Sequence, residues 1–225
     1  MKLMKILILD DNNIELTIDR ITKNLQRAGI ELEVEIINPQ SHKFKDENND
    51  IDFLRIKEHI IENHTNKKYD VISCDFSFSS EKLNGYLLIK WIINSAKSNN
   101  YRFKNAKFIC YSGEENKFKD YVLENDEIIK LIKLNIHAFY KRDSLSEDLT
   151  SLLKKINENY SPKSHIVELL NKEPEKKFKH IYPKFEDKKL GEIANEIDRD
   201  SHHGIEFQKY ITELTYSHIL ELNKQ

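Results

Sequence analysis
The stretch Tyr69-Asp70-Val71-Ile72-Ser73-Cys74-Asp75 is a short apolar run that closes on a carboxylate. It is too short for a helix, and its apolar residues are nearly continuous rather than alternating, which fits a strand buried on both faces, as in a parallel sheet. Working outward, three more runs have the same form. Lys5-Ile6-Leu7-Ile8-Leu9 closes on Asp10 and Asp11, Lys107-Phe108-Ile109-Cys110-Tyr111 closes on Ser112, and Ile136-His137-Ala138-Phe139-Tyr140 closes on Lys141. Chemically active side chains therefore recur at the carboxyl ends of strand-like runs.

The full pattern predicts strands over 3–9, 31–37, 69–74, 106–111 and 135–140, alternating with helices over 13–28, 51–63, 85–97, 114–133 and 144–157. Such alternation implies an α/β fold, a doubly wound five-stranded parallel sheet of flavodoxin-like order 2-1-3-4-5, with right-handed crossovers that cover both faces. Gly29 stops the first helix, and Ser144 with Glu147 reads as a capping box opening the fifth. The polar stretch 38–50 is longer than an ordinary strand-to-helix connection and reads as a mobile loop. The pattern breaks near Asn159, which divides the chain into 1–158 and a helical region, 159–225, with helices expected over 164–170, 190–199 and 204–223.

In doubly wound sheets ligands gather beyond the carboxyl ends of the strands, where strand order reverses. The order 2-1-3-4-5 brings Asp10, Asp11, Asp75, Ser112 and Lys141 to that place. Three carboxylates supply the hard oxygen ligands that Mg2+ prefers. A hydroxyl at Ser112 and a positive charge at Lys141 complete a set able to hold a phosphoryl group on Asp75, because phosphoryl transfer depends on positioning and charge neutralisation.

Composition restricts the remaining choices. The chain has 225 residues, 39% of them hydrophobic, enough for a real core. Its 36 Lys+Arg nearly balance 38 Asp+Glu, so overall charge demands neither nucleic acid nor an anionic membrane. Two cysteines, Cys74 and Cys110, each inside an apolar run, fit reduced buried thiols and a cytoplasmic setting. The first residues carry no signal-peptide pattern, and no stretch reaches bilayer-spanning length, so no membrane partner is expected.

Residues 1–158 resemble the receiver domain of two-component response regulators. The likeness is carried, in order, by Leu9-Asp10-Asp11, Asp75, Asn84-Gly85, Tyr111-Ser112-Gly113 and Lys141. It implies phosphorylation of Asp75 by a histidine kinase or phosphotransfer protein, Mg2+ held by Asp10, Asp11, Asp75 and the backbone carbonyl of Ser77, and Ser112 and Lys141 as readers of the phosphoryl group. The only chemistry it implies is self-directed: phosphotransfer and autodephosphorylation. The chain departs from the family pattern in a longer loop from Asp75 to Gly85 with Ser79 in place of a proline, in Arg142 where a proline usually follows the lysine, and in Ala138 at the position of a switching aromatic.

Other readings compete. A degenerate receiver would keep the fold only as an interaction module. A haloacid-dehalogenase-type phosphatase would use Asp10 as nucleophile with Ser112 and Lys141, but needs a second acid where Asn12 stands. For 159–225 the expected output is contact with an unknown downstream protein or a homodimer, through a stripe of Ile193, Ile197, Phe207, Ile211, Leu214, Ile219 and Leu222. Residues 190–215 faintly resemble a helix-turn-helix, yet 11 Lys+Arg face 12 Asp+Glu across 159–225, so nucleic acid is not the favoured partner. The lysine-rich stretch 172–189, with Phe178, Tyr182 and Phe185 interleaved, reads as a solvated linker with apolar anchors. Five histidines there (His165, His180, His202, His203 and His218) lack convincing zinc spacing.

Overall fold
The structure is a computed structural model that describes residues 2–78, 80, 83–159, 161–179 and 182–224. Ser79 and His180, both singled out above, lie outside the described residues. The chain divides into two compact units, residues 1–158 and 159–225.

The first unit is built on strands β1 (Lys2–Leu9), β2 (Ile30–Ile37), β3 (Val71–Asp75), β4 (Lys107–Ser112) and β5 (Ala138–Lys141). They form one sheet ordered β2-β1-β3-β4-β5, with every pairing parallel. The helices are α1 (Glu15–Gln26), α2 (Phe53–His64), α3 (Gly85–Ser98), α4 (Glu115–Glu124), α5 (Ile128–Leu134) and α6 (Leu145–Glu158). The fold class and strand order expected from the sequence are those observed.

Two cores lie on opposite faces of the sheet, sorted by the two-residue period of its strands. Met4, Ile6, Ile8, Val71, Ile109 and Tyr111 pack with α1 and α6, whereas Leu7, Leu9, Ile72, Cys74, Phe108 and Cys110 pack with α2 and α3. Gly29, at φ 73°, takes the left-handed conformation that ends α1. Asn84 caps α3, its side-chain oxygen accepting from the Leu87 backbone N–H at 2.9 Å.

Three local expectations change. The helix expected over 114–133 is broken into α4 and α5, because Glu127 turns inward and accepts from the Tyr86 hydroxyl at 3.0 Å, from Lys90 at 2.8 Å and from Lys130 at 2.9 Å. Left-handed Asp126, at φ 55°, makes that turn. The stretch read as a mobile loop is tied into the core: Phe44 and Ile51 are buried, Lys45 bridges Ile51, and the Asp46 carboxylate accepts from the backbone of Asn48 and Asp50. Ser144 makes no capping box, since its hydroxyl donates to Asp148 at 2.6 Å.

The second unit comprises α7 (Pro162–Leu170), a 3-10 turn at Pro183–Phe185, α8 (Leu190–Asp198) and α9 (His202–Leu222). Its core is Phe185, Ile193, Ile197 and Phe207, with Phe178, Tyr182 and Ile211 packed against it. The apolar anchors expected in the lysine-rich stretch are present, and they do more than tether a solvated linker: Phe178, Tyr182 and Phe185 supply much of this core, and Lys177 bridges Lys189. The stripe expected as a packing face divides, with Ile193, Ile197 and Phe207 buried and Leu214, Ile219 and Leu222 exposed.

Candidate functional site
Strands β1, β3, β4 and β5 all run the same way, and the pairings Leu9 with Cys74, Asp75 with Tyr111 and Ser112 with Lys141 bring their carboxyl ends to one end of the sheet. The residues at and just beyond that end form the site. Asp10, Asp11 and Asp75 each bring a carboxylate oxygen within 4.8 Å of the others. Asp10 and Asp75 are almost wholly buried, and Asp11 is partly exposed.

Each buried acid is held differently. Asp10 accepts from the Asn12 backbone N–H at 2.8 Å, from the Tyr111 hydroxyl at 2.5 Å and from Arg142 at 3.1 Å. Asp75 pairs through Oδ2 with the Arg142 guanidinium at 2.6 Å, while its Oδ1 is buried and has no hydrogen-bond partner. Burial pushes the Asp75 carboxyl up to about 7, with Arg142 pulling it down and Asp10 adding to the rise. A buried carboxylate oxygen without a donor, beside two further carboxylates, is a donor set suited to a hard divalent cation such as Mg2+.

Ser112 arrives as expected. Its hydroxyl is buried beside the acids' strand ends, accepts from the Glu114 backbone N–H at 2.9 Å and lies 3.4 Å from the Ser77 hydroxyl. Gly85 locks the loop after Asp75 against its strand. Its N–H donates to Phe76 at 2.9 Å, and a Cβ on it would come within 1.6 Å of the Asp75 carbonyl oxygen.

Lys141 does not reach Asp75. Its ammonium pairs with Glu115 at the start of α4, at 2.8 Å, and its side chain is 68% exposed. The cation at the acids is Arg142, which also lies over the Tyr111 ring, 5.4 Å from its centroid. The two-residue strand period explains the exchange. Ala138 and Tyr140 face the α1 and α6 side, as Tyr111 does, and Arg142 continues that parity toward Asp10 and Asp75. Phe139 and Lys141 share the opposite face, where Phe139 stacks on Phe118 with ring centroids 4.2 Å apart. Sequence reasoning missed Arg142, although the alternation Ala138, Tyr140, Arg142 carried the signal.

Among the described residues, no further group of three or more histidine, cysteine or acidic side chains is placed to share a metal ion, and no helix is long and apolar enough to cross a membrane.

No family model and no curated protein matches the chain. Among solved structures it is similar to the RcsB response regulator of Salmonella enterica serovar Typhimurium bound to promoter rprA, at 15% identity over 93% of this chain and 98% of that one, with a TM-score of 0.41. It is similar also to the Mn2+-bound form of response regulator Rcp1, at 13% identity over 70% and 97% of the two chains, TM-score 0.43. A third is a response regulator from Thermotoga maritima, at 15% identity over 68% and 98%, TM-score 0.35. The fold described above stands on the strand order and register themselves.

Proposed function
We propose that residues 1–158 are a receiver unit that accepts a phosphoryl group on Asp75 and that 159–225 pass the signal on through protein contacts. One observation carries this reading: Asp75, at the carboxyl end of the central strand, has a buried oxygen that no donor satisfies, while Arg142 pairs with its other oxygen and Asp10 and Asp11 stand beside it. Asp10 is a poor alternative nucleophile because Asn12, Tyr111 and Arg142 already engage both of its oxygens. That argues against the phosphatase reading, which needs Asp10 to attack.

In the proposed step, an Asp75 carboxylate oxygen attacks phosphorus, and the bond to the donor's leaving group breaks. The donor in the cell would be the phosphohistidine of a histidine kinase or phosphotransfer protein. Asp10, Asp11 and Asp75, with the Ser77 carbonyl, would hold Mg2+, which when bound neutralises charge on the transferring group. Ser112 would donate its hydroxyl to a phosphoryl oxygen, exchanging its present loop contacts for that bond. Arg142 takes the place at Asp75 that the motif order assigns to Lys141. Drawing Ser112 inward would pull on the segment leading to α4, whose Phe118 stacks on Phe139 and meets Phe76 edge-on at 5.2 Å.

The test is incubation with a small acyl phosphate and Mg2+, read by intact mass. One phosphoryl group per chain, lost in Asp75→Ala and retained in Asp10→Asn at reduced rate, is the expected result. No labelling, or equal labelling of Asp75→Ala, would overturn the reading.

A second reading of 159–225 has one observation behind it. Helices α8 and α9 are joined by only Arg199, Asp200 and Ser201, and a Cβ on Gly204 would sit 2.3 Å from the Glu196 carbonyl oxygen, the close approach of a helix-turn-helix. The near-balanced charge of the region weighs against DNA as its ligand. Gel-shift against duplex fragments at stated salt separates the two readings.

A further inference from the structure
Arg142 is the one member of the site that the receiver motif does not provide for. It cannot lose its charge, and its guanidinium contacts both Asp10 oxygens at 3.1 Å and Asp75 Oδ2 at 2.6 Å. These are the oxygens that a divalent ion bound between Asp10 and Asp75 would need. A divalent ion and a guanidinium cannot share them without placing like charges in contact. We propose that Arg142 is the chain's own occupant of the cation position: it bridges Asp10 and Asp75 while the divalent ion is out, and the ion enters by displacing it. The inference rests on the reading of Asp10, Asp11 and Asp75 as a cation site.

The surroundings suit an exchange of this kind. Asp75 Oδ1 stays unpaired while Arg142 is in place, so the guanidinium satisfies one oxygen and leaves a second free for an incoming ion. Asp11, partly exposed, offers that ion a first contact at the rim. The Arg142 side chain is itself 28% exposed, so it borders solvent and has a way out. Among the described residues, its head is held by the Tyr111 ring face and the two acids. Lys141 takes no part, because Glu115 holds it on the other face of the sheet.

A receiver built this way carries a resting-state plug. Removing the plug therefore strengthens ion binding, whereas removing a residue that helps to hold the ion would weaken it. That difference in sign separates the proposal from a supporting role for Arg142.

The experiment titrates Mn2+ into full-length wild type, Arg142→Gln, Arg142→Lys and Lys141→Gln at fixed pH and ionic strength, following free Mn2+ by electron paramagnetic resonance, with circular dichroism as the check on folding. Arg142→Gln is expected to bind about tenfold tighter than wild type, the scale of relieving one like charge at a partly shielded site. Arg142→Lys, which keeps the charge but loses the bidentate fork, falls between the two and carries the test should the glutamine variant not fold. Lys141→Gln stays close to wild type. Equal or weaker binding by Arg142→Gln, equal tightening by Lys141→Gln, or no Mn2+ binding by any of the four proteins would overturn the proposal. Phosphodonor labelling of Asp75 in the same samples reports separately on the receiver reading. Labelling with unchanged Mn2+ affinity sinks the plug alone, and tightened affinity without labelling sinks the receiver alone.

Discussion

The Arg142 guanidinium lies 2.6 Å from Oδ2 of Asp75, in a place that the order of motifs along the chain assigns to the preceding residue. Its partner acids are buried while its own side chain borders solvent, so the acids depend on it for a counter-charge that water cannot supply. Taking away the guanidinium leaves Asp10 and Asp75 facing each other without a counter-charge. In urea unfolding with chelator present, Arg142→Gln should lose roughly 2 to 4 kcal/mol. Added Mg2+ should return much of that loss by supplying the missing charge. Lys141→Gln should show no measurable change, because its exposed pair with Glu115 lies in water.

Gly85 sets the distance between α3 and the end of β3. A methyl group there would meet the Asp75 carbonyl oxygen at 1.6 Å and Cys74 Sγ at 2.9 Å, so either the helix or the strand end must move. Gly85→Ala should cost about 3 kcal/mol in chemical denaturation. It should also slow labelling of Asp75 by a small phosphodonor more than its stability loss explains, since the displaced atoms belong to the acceptor itself.

Two groups in the first unit, His64 and Glu127, lose stabilisation on acidification in separate pH windows. Burial pushes His64 down to about 4 despite the pull of Glu35, while the unfolded chain takes up that proton near 6.5. Between about pH 6.5 and 4 His64 alone therefore costs the folded state up to about 1.4 kcal/mol per pH unit, while Asp75, raised to about 7, is protonated first in the folded chain and contributes the opposite slope over much of the same window. Glu127 behaves as a depressed acid: burial alone would raise it, but Lys90, Lys130 and Tyr86 hold it at about 2. Its stabilisation is present above its unfolded value near 4.5 and is lost as pH falls toward 2. Denaturant midpoints measured across this range should rise with acid in the upper window for His64→Gln, where the Asp75 slope is left unopposed, and should flatten in the lower window for Glu127→Gln.

The second unit depends on one aromatic residue more than on any charge. Phe185 is fully buried among Ile193, Ile197 and Phe207, and its truncation to alanine should cost about 3 to 5 kcal/mol. For a unit with so small a core that is most of its stability. Limited proteolysis of Phe185→Ala should release a fragment close to residues 1–158 that still takes label at Asp75. Loss of labelling together with the C-terminal helices would show that the two units do not fold separately.

Much of this is legible in the amino-acid sequence. The near-continuous runs at 5–9, 71–74 and 107–111 required a sheet covered on both faces, and the alternation with helices left little choice of topology. Asp10, Asp11, Asp75 and Ser112 end up together because the parallel pairings bring the carboxyl ends of their strands to one end of the sheet. The failures share one cause. The helix over 114–133 has an unbroken apolar pattern, but Glu127 is drawn inward by Tyr86 and Lys90, which lie far from it in sequence. The lysine-rich stretch 172–189 reads as a solvated linker with apolar anchors, yet once α8 and α9 offer a surface those anchors, Phe185 foremost, become part of a core.

The sequence by itself determined where carboxylates, hydroxyl and basic residues would stand, because strand parity and strand length are local properties of the chain. It did not determine which base would neutralise Asp75. Lys141 and Arg142 are adjacent and both positively charged, and the choice between them depends on partners brought in from elsewhere: Glu115 on one face of the sheet, and Asp10, Asp75 and the Tyr111 ring on the other. Only the tertiary structure assembles those competitors, and burial makes the choice consequential, since a buried carboxylate left without a counter-charge is far more costly than one in water.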